Sequence, residues 1–127
     1  MISLVKSTFY KEKDTKQKLK HFIERAKILS FGGECMKFEE SFAKYQGRKH
    51  CIFVNSGSSA NLALIQALLN LGRISPGDFV AFSSLTWATN AMPLIQLGLQ
   101  SIPVDIELDT LNVSSRTFLE VLHKIKP

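Results

Sequence analysis

Cys51-Ile52-Phe53-Val54-Asn55-Ser56-Gly57-Ser58-Ser59-Ala60-Asn61 is the stretch of this 127-residue chain whose reading decides the fold. Residues 51–54 form a short unbroken apolar run, the pattern of a strand buried on both faces. Small polar residues then make a turn. Residues 60–71 are apolar almost all round, which predicts a deeply packed helix. Strand, small-residue turn and helix in that order open a β-α-β unit, in which helices join parallel strands.

Downstream the alternation continues. Ser75-Pro76-Gly77-Asp78 is a turn by composition, and residues 79–82 are a second buried strand. Asn90 could cap a helix over 91–97, with Pro93 tolerated in its first turn and Gly98 at its stop. Residues 102–106 form a third strand, which Pro103 places at a strand start or a sheet edge. Ser114 or Ser115 caps a last helix running to about Lys124.

Upstream, Leu19, Phe22, Ile23, Ala26 and Leu29 recur at helical spacing, so an amphipathic helix is expected over 16–29. Gly32-Gly33 breaks it. A second helix over 34–45 carries Cys35, Phe38, Phe42 and Tyr45 on one face and stops before Gly47. Residues 1–15 read as a basic N-terminal arm, and residues 16–127 as one α/β domain. Its sheet should be partial and mostly parallel, with flanking helices. Because the chain ends on Pro127, where a further strand would follow, the domain is expected to be incomplete.

The formal charge is +5, with 45% hydrophobic residues. The positive excess lies early: residues 1–50 hold 12 Lys+Arg against 6 Asp+Glu, and residues 51–127 hold 4 against 5. Lys11, Lys13, Lys16, Lys18 and Lys20 read as a solvated arm and helix face rather than a nucleic-acid surface. Cys35 and Cys51 make no metal or redox spacing and are expected as reduced thiols. With no signal peptide and no long apolar run, a soluble cytoplasmic protein is expected, with neither metal nor membrane.

Two features carry chemistry. The first is the turn ahead of residue 60. A helix N-terminus leaves backbone N–H groups unpaired and its dipole favours an anion. Gly57 permits close approach, while Ser58 and Ser59 add hydroxyls, so the turn could cradle a phosphate. An ordinary capped helix looks the same. The turn lacks the lysine of a P-loop and the three glycines of a dinucleotide fingerprint. The second feature is Ser84-Leu85-Thr86-Trp87-Ala88-Thr89-Asn90, just past a strand, at the sheet edge where parallel folds gather ligands. Trp87 could stack on a flat ring or serve as a core or interface residue. Asp105 points to the same edge, or caps a turn.

Taken together, Phe38-Glu39-Glu40-Ser41-Phe42-Ala43-Lys44-Tyr45, Asn55-Ser56-Gly57-Ser58-Ser59-Ala60, Pro76-Gly77-Asp78, Thr86-Trp87-Ala88-Thr89-Asn90 and Pro103-Val104-Asp105 follow one another in an order and spacing similar to the opening of the DegT/DnrJ/EryC1/StrS family of nucleotide-sugar aminotransferases. The similarity covers about residues 28–113. The stretch from Asn55 to Leu62 also resembles the branch containing the 3-dehydratases of 4-keto-6-deoxy sugars. The resemblance implies the N-terminal part of the large domain of a type I pyridoxal-phosphate enzyme, active as a homodimer. It implies that Gly57, Ser58 and Ser59 hold the cofactor phosphate and that Trp87 stacks on its ring. The family's Schiff-base lysine, and the aspartate that pairs with the pyridine nitrogen, would fall after Pro127. The chain alone is therefore expected to hold pyridoxal phosphate weakly and to be inactive.

The function so implied is transfer of an amino group, with glutamate the expected donor, to a keto-sugar nucleotide. The alternative within the family is the 3-dehydratase. A reading of another class is a small basic binding module without catalysis.

Overall fold

The computed structural model describes residues 9–125. They fall into two compact units, one up to Phe53 and one from Val54.

In the first unit, α1 spans Glu12–Arg25 and α2 spans Gly33–Tyr45. Helix α1 starts and ends four residues ahead of the predicted 16–29, so residues 12–15, expected in the arm, are helical. Charge explains the shift. Glu12 and Asp14 occupy the first turn and Arg25 the last, each suited to its end of the helix dipole. Lys16 pairs with Glu12, Lys18 with Asp14 at 2.9 Å, and Lys20 with Glu24 at 3.8 Å. Residues 1–8 of the basic arm lie outside the described residues.

Helix α2 carries an aromatic cluster. Phe38 stacks on Phe42 with ring centroids 5.6 Å apart, and Phe53 meets Phe38 edge-on at 5.2 Å. Phe31 lies 6.0 Å from Phe53. These rings fasten the start of the decisive stretch against α2. The strand predicted over 51–54 does not form. A strand needs a neighbour's backbone to pair with, and here the Phe53 N–H donates instead to Oε1 of Glu39, 2.7 Å away. Cys35 and Cys51 are both free.

The second unit runs α3 (Gly57–Asn70), β1 (Phe79–Ser83), α4 (Ala88–Gln96), β2 (Gln100–Val104) and α5 (Ser115–Ile125). The two strands pair in parallel, from Phe79 opposite Gln100 to Ser83 opposite Val104. The expected three-stranded sheet is thus two-stranded among the described residues, and its second strand sits two residues earlier than predicted. Pro103 lies inside β2. The Gln100 N–H donates to Asp78, and the Val104 carbonyl accepts from Ser84. Alternation between those two residues turns the Pro103 nitrogen away from β1, on an edge where no donor is needed.

Turn chemistry sets this register. Ser75-Pro76-Gly77-Asp78 closes through Asp78 N–H to Ser75 O at 3.0 Å, with Gly77 at φ 91°. That is a type II turn, which needs a residue tolerant of positive φ in third place. Helix α4 stops at Gly98, φ 76°, where Leu99 N–H reaches back to Leu94 O and Gly98 N–H to Ile95 O. This Schellman cap turns the chain straight into β2.

The core sits where α4 covers the strands. Leu94 is 3% exposed, Val104 2% and Leu99 6%. Helix α4 also packs on α3, and α5 on β2. The deep burial predicted for residues 60–71 is absent. No residue of α3 is buried, and Leu64 is 60% exposed. A two-stranded sheet is too narrow to cover a helix that is apolar on every side. No helix of the described residues is long and apolar enough to cross a membrane.

Candidate functional site

The predicted phosphate turn lies wholly in the second unit. Ser56 is the N-cap of α3, in extended backbone, and its Oγ accepts the Ser59 N–H at 3.2 Å. The Ser59 hydroxyl donates to Asn55 Oδ1 at 2.6 Å. Both donors of Ser59 are therefore used inside the turn, and Ala60 N–H closes on Ser56 O. Gly57 N–H and Ser58 N–H are the amides left facing outward, as the first turn of any helix requires. The Ser58 hydroxyl stands beside them, and Ser58 is exposed.

Gly57 adopts no positive φ, and a Cβ built on it would meet nothing within 4 Å. The fold therefore does not demand glycine here. The space beside Gly57 is open, and the first-turn amides of a helix are free to meet an acceptor.

Trp87 is the N-cap residue of α4, with no side-chain cap of its own. The residue is 81% exposed, so it takes no part in the core of the described residues. The indole is thus open to solvent, on a backbone that is held in place. The backbone is fixed because Asn90 N–H donates to Trp87 O at 3.0 Å and the Asn90 side-chain amide donates to the Thr86 hydroxyl. Asn90 was expected to cap a helix over 91–97. The helix instead begins at Ala88, and Asn90 ties its first turn to the loop before it.

Sequence reasoning passed over the residue that joins these two features. Asn61, one turn into α3, donates from Nδ2 to Asn90 Oδ1 at 2.7 Å and to Thr89 O at 3.3 Å. The N-terminal turns of α3 and α4 are held side by side by that amide. Gly57 and Ser58 thus share a neighbourhood with the Trp87 loop. A signal was present: Pro93 lies inside α4, and a proline within a helix leaves the carbonyl four residues earlier without its usual donor.

Asp105 follows β2 at the same strand end and accepts from Ser84 Oγ at 3.4 Å and from Ile106 N–H at 2.8 Å. It serves as a turn cap here. Among the described residues no group of three His, Cys, Asp or Glu could hold a metal ion.

The chain matches the DegT/DnrJ/EryC1/StrS aminotransferase family over residues 10–124. It is 35% identical over 99 residues to the GDP-4-keto-6-deoxy-D-mannose 3-dehydratase of Escherichia coli O55:H7, a match taking in 76% of this chain and 26% of that protein. With the dTDP-4-dehydro-2,6-dideoxy-D-glucose 3-dehydratase of Saccharopolyspora spinosa it shares 38% over 90 residues, 68% of this chain and 20% of that one. The solved E. coli GDP-4-keto-6-deoxy-D-mannose-3-dehydratase with bound hydrated PLP superposes with a TM-score of 0.79 at 32% identity, covering 98% of this chain and 31% of that chain. The chain spans less than a third of the length of each of these relatives.

Proposed function

The chain belongs to the DegT/DnrJ/EryC1/StrS aminotransferase family, with an α/β fold of the type I pyridoxal-phosphate class, and on that premise we propose that it contributes the phosphate turn and ring-stacking loop of an enzyme acting on a nucleotide-linked 4-keto-6-deoxy sugar. The relatives favour loss of the C3 hydroxyl, the dehydratase alternative, over the amino transfer that the family resemblance first suggested.

The observation that carries the reading is the pairing of two unsatisfied amides, Gly57 and Ser58, with the bare Trp87 indole, tied together through Asn61. The residues fit pyridoxal phosphate. Gly57 N–H, Ser58 N–H and the Ser58 hydroxyl would receive its phosphate, and Trp87 would cover one face of its ring. Ser59 would join them only by exchanging its bond to Asn55. Bound there, the cofactor supplies an electron sink for bond breaking next to the sugar carbonyl. The turn would fix the position of the phosphate and Trp87 would keep water from one face of the ring; neither moves a proton.

Both chemistries would use Gly57, Ser58 and Trp87 alike, so product analysis separates them. The intact gene product is incubated with pyridoxal phosphate, glutamate as amino donor and a nucleotide-linked 4-keto-6-deoxyhexose. The expected product carries a methylene at C3, read by NMR and by mass. An amine at C4 instead would restore the aminotransferase reading. A homodimer in the cytoplasm is the setting this proposal assumes.

A further inference from the structure

We propose that Asn61 is a positioning residue for the Trp87 ring, acting as the substitute for a hydrogen-bond donor that Pro93 removes from α4. The inference rests on the cofactor reading only for what the ring is positioned to do.

Pro93 has no backbone N–H, and in a helix its partner would be the carbonyl of Thr89. That carbonyl is met by Asn61 Nδ2 at 3.3 Å. The same nitrogen reaches Asn90 Oδ1 at 2.7 Å, so both hydrogens of the Asn61 amide have acceptors. From Asn90 the chain of bonds continues in two directions, to the Thr86 hydroxyl through its side chain and to Trp87 O through its backbone. Thr86 and Asn90 flank Trp87 in sequence. The backbone that aims the indole is thus enclosed by bonds whose far anchor is a single amide on α3.

Burial shows why this anchor matters. Trp87 is 81% exposed, so packing does not orient its ring and the backbone must. Asn61 itself is half-buried and stands one turn from the free amides of Gly57 and Ser58. Within the α3–α4 packing, this one side chain therefore links the anion-binding half of the site to the stacking half. An asparagine is suited to this because a single side chain supplies two donors from one nitrogen; a leucine of similar shape supplies none.

Trp87 is the chain's one tryptophan, so intrinsic fluorescence reports this ring alone. The test compares wild type, Asn61→Leu, and Asn61→Leu combined with Pro93→Ala. Three quantities are measured: time-resolved anisotropy of Trp87, affinity for inorganic phosphate, and affinity for pyridoxamine phosphate, whose amine cannot condense with surface lysines. Asn61→Leu should make the indole more mobile and weaken pyridoxamine phosphate about tenfold, while inorganic phosphate changes by less than about twofold. The double variant should regain most of the lost order, because replacing Pro93 restores a backbone N–H that can donate to Thr89 O.

If Asn61→Leu does not fold, Asn61→Ala carries the same readouts, since it removes both donors without a bulky replacement. Unchanged anisotropy, or equal weakening of both ligands, would overturn the inference. So would failure of Pro93→Ala to restore order. Should the wild type bind neither ligand, the cofactor reading fails, and the anisotropy comparison still decides the role of Asn61.

Discussion

Arg116 grips Glu107 with two parallel bonds, Nε to Oε1 at 3.0 Å and Nη2 to Oε2 at 2.6 Å. Ser114, the cap of α5, donates to the same Oε1 at 2.6 Å while its Oγ accepts the Thr117 N–H. The loop after β2 is thereby tied to the start of α5. The bonds from Arg116, then that from Ser114, hold the Glu107 carboxyl below its ordinary value of 4.5. A carboxyl that titrates lower in the folded state gives stability that is complete above its unfolded value and is lost as the pH falls through its folded one. The urea midpoint should therefore drop on acidification below about pH 4.5, and Glu107→Gln should flatten that acid limb. Superimposable limbs for the two proteins would assign the pair no part in stability.

Gly57 is the first residue of α3, and Ser56 before it is extended, with φ −161° and ψ 161°. Proline suits that first position and that predecessor. Gly57→Pro should leave the circular dichroism unchanged and delete one free N–H. Affinity for pyridoxamine phosphate, expected on the order of millimolar, should then fall about tenfold. Ser59→Asp, which sets an anion beside the site, should abolish binding. Binding indifferent to both changes would place the ligand away from this turn.

Trp87→Ala removes a large ring that buries little. Stability should move by no more than about 0.5 kcal/mol, while pyridoxamine phosphate weakens about tenfold and inorganic phosphate does not. A large fall in melting temperature would show that the ring packs in solution.

Leu94 is the anchor of α4 on the sheet. Leu94→Ala should cost about 2–5 kcal/mol, enough to unfold a large part of the second unit's population. Chemical denaturation measures it. A loss below about 1 kcal/mol would mean the site closes around the cavity.

The exposed Phe31, Phe38, Met36 and Leu64, among others, leave apolar surface bare in both units. Self-association at high concentration should follow, read by light scattering as a mass above that of the single chain. A strict monomer would count against the homodimer.

The β-α-β order, the turn at Ser75–Asp78 and the stops at Gly47 and Gly98 were legible because backbone chemistry writes them into single residues. Residues 51–54 misled because apolarity reports a preference for burial, whereas a strand also needs a pairing partner. Helix α3 misled for the same reason, its apolar composition being silent on what covers it. Gly57, Ser58, Ser59 and Trp87 were nominated as a candidate site by residue type and place. That both donors of Ser59 are engaged within the turn was not legible, because the Ser56 cap and the Asn55 acceptor are geometry. Asn61 stayed hidden because its task is defined by a proline 32 residues away.

The turn from Asn55 to Ser59 contains no charged side chain. The turn itself offers an anion only dipoles and hydroxyls, with no cationic side chain of its own whose counterions must be released. Its affinity should therefore vary less steeply with ionic strength than that of a lysine-lined surface. Amides do not titrate, so the pH profile of phosphate binding should follow the ligand's own second ionisation, near about pH 6, and no group on the protein.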